Sequence, residues 1–95
     1  MNDLDLVRSL RRLRRAVDML QADLRHGYQN NELLAAVELQ MEHGIATDAR
    51  CTGLSAAVDI LRESTLTPRP KLYADTIRAC EKLKDGIEGI VSAIG

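Results

Sequence analysis

The chain is nearly devoid of aromatic residues: it has no Trp, no Phe and only two tyrosines, Tyr28 and Tyr73. A sheet-built core draws on aromatic and β-branched side chains, so this composition argues against one. Binders of single-stranded nucleic acid stack bases on aromatic rings, and that platform is missing too. Cysteine is scarce, with Cys51 and Cys80 alone. The opening Met-Asn-Asp-Leu-Asp is acidic and lacks the apolar stretch of a secretory leader. The two thiols are therefore expected to be reduced, buried packing groups in a cytoplasmic protein. No apolar run reaches the length of a membrane span. Neither sign of charge dominates: 13 Lys and Arg stand against 14 Asp and Glu. The molecule as a whole is thus not steered towards polyanions.

Catalytic signatures are absent as well. The chain has no Gly-rich phosphate loop and no G-x-S-x-G elbow. His26, His43, Cys51 and Cys80 could supply four metal ligands, but no two have the close spacing of a zinc site. Asp23 and His26 make one carboxylate-x-x-His pair, where a di-iron bundle needs two. The expectation is a non-enzyme with no cofactor and no metal.

What remains is a strong aliphatic pattern. Leu6, Leu10, Leu13, Val17, Leu20 and Leu24 alternate spacings of four and three, an unbroken heptad stripe. Asp3 and Asp5 suit the positive end of a helix dipole, and Arg25-His26-Gly27 is a helix stop. A helix over residues 3–26 follows. Asn31 is the expected cap of a second helix, with Leu33, Leu34, Val37 and Met41 as its stripe, stopping near His43-Gly44. Thr47 and Asp48 open a third helix over residues 48–63, with Cys51, Leu54, Val58 and Leu61 facing inward. The break at 44–46 could be only a kink joining these two pieces. Residues 65–69 form the longest connection, with Pro68 and Pro70 leading into a last helix over 70–93. Thr76, Cys80, Leu83, Ile87, Ile90 and Ile94 give that helix the spacing of the first. The fold class is all-α: a small antiparallel bundle of three to four helices in one domain over 1–95.

Function is sought on the faces left over. Arg8, Arg11, Arg12, Arg14 and Arg15 lie within two turns with no acid among them, and their mean direction opposes the leucine stripe. A solvated face whose stems cover apolar surface explains them without a partner. An anion-facing patch explains them with one. Glu32, Glu38, Glu42 and Asp48 lie in a stretch without Lys or Arg, an acidic complement that could pair within the bundle or across a dimer. Helix two and helix three do not read as a helix-turn-helix. Gln40 falls where a small residue must pack, Arg50 where an apolar one is wanted, and the reading helix would have only Arg50 and Arg62 for DNA. Ala79, Gly86 and Ala93 recur every seven residues beside the last helix's stripe. Glycines at 86 and 89 inside a helix suggest close approach of another backbone, within the chain or from a second copy. Gly53, Ala56, Ala57 and Ile60 form a similar strip, and Leu39 and Met19 point away from their stripes. These faces suggest a homodimer that binds a protein partner through Arg8, Arg11, Arg12 and Arg15. Nucleic-acid binding through the same arginines is the rival, and membrane binding is not expected because the leucines are needed in the core.

Overall fold

A computed structural model describes residues 2–45, 47–66 and 72–94, with the side chains of residues 66, 72 and 73 left aside. Among these residues there are four α-helices and no strand: α1 (Asp3–Arg25), α2 (Asn31–Gln40), α3 (Thr52–Leu66) and α4 (Leu72–Ile94). The all-α bundle read from the heptads is the observed fold.

α1 starts where Asn2 Oδ1 accepts the Asp5 amide at 2.8 Å. At its other end Tyr28 N donates to Asp23 O and Gly27 N to Leu24 O, a Schellman closure that requires Gly27 at φ 80°. The cap of α2 is Asn30 rather than Asn31: Asn30 Oδ1 accepts from Leu33 N at 3.1 Å, and its amide donates to Asp23 on α1. Both asparagines can cap. Asn30 reaches back to Asp23, while Asn31 Oδ1 accepts from Gln29 Nε2.

The break between α2 and α3 is a true separation. In the turn Met41–Ile45, His43 (φ −83°, ψ 48°) and Gly44 (φ 105°, ψ −21°) leave helical geometry. Asp48 then caps a single 3-10 turn, Ala49–Cys51, which runs into α3. α3 extends to Leu66, three residues beyond the expected end, so Thr65 belongs to the helix and not to the connection. Pro68, Pro70 and the expected helix start at residue 70 lie outside the described residues.

The leucine stripe does what its spacing requires. Leu6, Leu10, Leu13, Val17 and Leu20 are fully buried and meet Cys51, Leu54, Leu61, Cys80, Leu83 and Ile87 from α3, its lead-in turn and α4. Ile90 and Ile94 are only half-buried, because the core tapers at that end. α1 packs chiefly on α4, α4 on α3 and α1 on α2, while α2 and α3 barely touch. Polar groups set the antiparallel register of α1 on α4. Gln21 Nε2 donates to Ile77 O and to Glu81 at 2.9 Å, Lys84 reaches Asp18 at 2.8 Å, and Arg14 reaches Glu88 at 2.6 Å. Each step down α1 meets an equal step up α4. The Gln21 hydrogen bond, with help from Lys84, pulls the Glu81 carboxyl below its usual range. The Asp18 carboxylate raises the Lys84 ammonium.

Candidate protein-binding face

The arginines follow from the same periodicity that buries the leucines. At about 100° per residue, Arg8, Arg11, Arg12 and Arg15 fall opposite the buried stripe, and all four are exposed. They share one surface cleft among themselves. None of the four has a carboxylate partner among the described residues. Arg14, the fifth arginine of the patch read from the sequence, stands apart from these four. It sits on the flank facing α4, where its Nε lies 2.6 Å from Glu88 Oε1 and its Nη1 3.8 Å from Asp18 Oδ2. Glu88 lies 74 positions away along the chain, so local sequence carries no sign of this pair.

The acidic stretch does not answer the α1 arginines. Glu38 pairs with Arg62, which also holds Asp59. Asp48 and Asp3 hold Arg50, with Nη1 donating to Asp3 Oδ1 at 2.6 Å and Nη2 to Asp48 Oδ2 at 3.0 Å. The Arg50 side chain and amide draw the Asp48 carboxyl down to about 2. Both cations of the would-be DNA-reading helix are thus engaged by the chain's own carboxylates.

Apolar side chains frame the arginines. Leu4 is 59 % exposed, Met19 52 % and Leu39 55 %. Leu4 and Met19 lie on the arginine side of α1. Leu39 shares a cleft of about 230 Å³ with Ser9, Arg12, Gln40, His43 and Ile45, between α1 and the end of α2. Leu39 thus stands beside the basic face and not apart from it. Leu4 is the residue that sequence spacing does not single out. It sits in the first turn, but its distance from Arg8 continues the four-three rhythm outward.

The small residues divide. Ala79 is buried in the core, and a Cβ at Gly86 would stand 2.9 Å from Leu54 Cδ2, so Gly86 serves the crossing of α4 on α3 within the chain. Gly89 meets nothing within 4 Å, so the close approach expected there is not made inside the chain. Gly53, Ala56, Ile60 and Ala93 are exposed.

Both thiols are turned inward, and one of the two imidazoles is hydrogen-bonded. Cys51 and Cys80 are free and buried; burial pushes the Cys80 thiol up to about 12 and raises that of Cys51. His26 Nδ1 lies 2.8 Å from Ala22 O. Among the described residues no three His, Cys, Asp or Glu side chains gather to hold a metal ion, and no helix is long and apolar enough to cross a membrane. The chain matches no protein-family model, no curated protein and no solved structure.

Proposed function

We propose that this chain is a non-catalytic protein-binding module, a small cytoplasmic adaptor, chaperone, antiactivator or inhibitor that presents the outer face of α1 to a protein partner. One observation carries the reading. Arg8, Arg11, Arg12 and Arg15 stand together with no carboxylate partner among the described residues, while Arg14, Arg50 and Arg62 are each ion-paired to two carboxylates. Like charges three and four residues apart destabilise a helix by about 0.2–0.5 kcal/mol per pair. A partner's carboxylates turn that repulsion into attraction, and guanidinium groups bind them in bidentate fashion. The exposed Leu4, Met19 and Leu39 add apolar surface at the edge of the same face. The Gly53–Ala56–Ile60 strip and Ala93 are the surfaces left for a second copy, which makes a homodimer part of this reading. Free, buried cysteines fit a reducing compartment.

The test is charge reversal. With Arg8, Arg11, Arg12 and Arg15 all changed to Glu, the chain should lose the protein it retains from its native cell extract. Circular dichroism should show unchanged helicity, and the melting temperature should stay within a few degrees. Undiminished retention would reduce the patch to a solvated face. If the arginines serve nucleic-acid phosphates instead, affinity for a DNA or RNA duplex will fall with salt, with a log-log slope of roughly −0.9 per phosphate contacted.

A further inference from the structure

The outward face of α1 carries a second ordered line of side chains that the bundle does not use. Leu4, Arg8, Arg11, Arg15, Met19 and Ala22 are all exposed. Their spacings are four, three, four, four and three, which amount to 18 residues over five turns. That is 3.6 residues per turn, so the line runs straight along the helix, as a partner element lying parallel to it would need. Its chemistry changes along its length. Aliphatic groups stand at the two ends, about 22 Å apart at 1.5 Å per residue, and cations stand between. The flanks repeat the order: Asp3 and Asp5 lie beside Leu4, and Asp18 and Asp23 bracket Met19.

We infer that this face docks an acidic amphipathic helix of a partner protein, about four turns long, with carboxylates at its centre and aliphatic side chains at both ends. The inference rests on the partner-binding reading of α1 and specifies the partner's chemistry. Carboxylates at the centre meet Arg8, Arg11 and Arg15, with Arg12 on the flank. Aliphatic ends meet Leu4 and Met19, beside Asp5 and Asp23, whose carboxylates are held by no cation among the described residues. A polyphosphate lying along α1 fits less well. Its charge is continuous, so it would run onto those aspartates and leave Leu4 and Met19 wet. A helix laid along a helix reads such a line through side chains spaced three and four apart.

Fluorescence anisotropy with the full chain tests this against three labelled probes. The first is a 20-residue helical peptide with leucines at both ends and glutamates on the central outward positions. The second has the same composition with leucines central and glutamates terminal. The third is a 20-base-pair DNA duplex. The first peptide should bind roughly tenfold more tightly than the second. The double variant Leu4→Ala, Met19→Ala should weaken it by roughly fivefold, as loss of apolar anchors does. Reversal of the four arginines should abolish binding. Equal affinity for the two peptides overturns the inference, as does DNA binding that exceeds both and ignores Leu4 and Met19. Sedimentation covers the remaining occupant: if the chain self-associates through the same arginines and the peptide cannot displace that association, the face belongs to a second copy and the inference fails. A charge-reversed chain that loses its cellular partner while neither peptide binds the native chain leaves the partner-binding face standing and removes the acidic helix.

Discussion

A methyl group added at Gly27 or at Gly89 would meet no neighbour within 4 Å, yet the two substitutions should act in opposite directions. Gly27 holds φ 80° in the closure of α1, and a Cβ there costs about 1–2 kcal/mol. Gly89 lies inside α4 with ordinary helical geometry and an exposed surface. Alanine there should gain about 1 kcal/mol, or about 4–8 °C in a domain of this size. Thermal melts of Gly27→Ala and Gly89→Ala should therefore fall on either side of the native chain. Two melts shifted the same way would contradict the backbone argument. Gly86 is a third case, because the helical gain is offset by the Leu54 methyl that would have to move. From sequence, Gly86 and Gly89 look alike. Their difference lies in α3, which reaches one and not the other.

At the scale of elements, the strap closing one end of the bundle should weaken in acid. Asp48 caps the turn into α3 and holds Arg50, which reaches on to Asp3 at the start of α1. Because the Asp48 carboxyl is lowered from 3.8 to about 2, its contribution is complete above the ordinary carboxylate value. It fades as pH falls from there towards 2, where the folded form also takes up the proton. Asp48→Asn should therefore melt below the native chain at pH 5 to 7, with the gap closing between pH 4 and 2. A gap that does not change with pH would mean that the charge on Asp48 does no stabilising. α1 and α4 are legible as elements because each carries its own uninterrupted inward stripe. The middle of the chain is less so. The cap falls on Asn30, which reaches back to Asp23 on α1, and not on Asn31, and α3 runs on to Leu66, beyond the end that its local pattern suggests.

For the whole molecule, Cys51 and Cys80 report on the unity of the core. They come from different elements and lie in one cluster with the α1 leucines. Burial keeps both thiols protonated, and only the thiolate reacts. Labelling by a thiol reagent near pH 8 should be slow for both and should accelerate in parallel as urea is added. Fast labelling of one thiol in the native chain would show that the bundle opens locally. The helices, their inward faces and the placement of cations opposite the leucines were set by sequence alone, because each depends on the spacing of residues within one helix and on water expelling aliphatic groups. Which arginine found a carboxylate, which glycine met a leucine and which exposed leucine came to stand beside Arg12 were decided only in the tertiary structure. Those facts depend on how helices distant in sequence rotate and cross, and no local pattern encodes an angle between two rods.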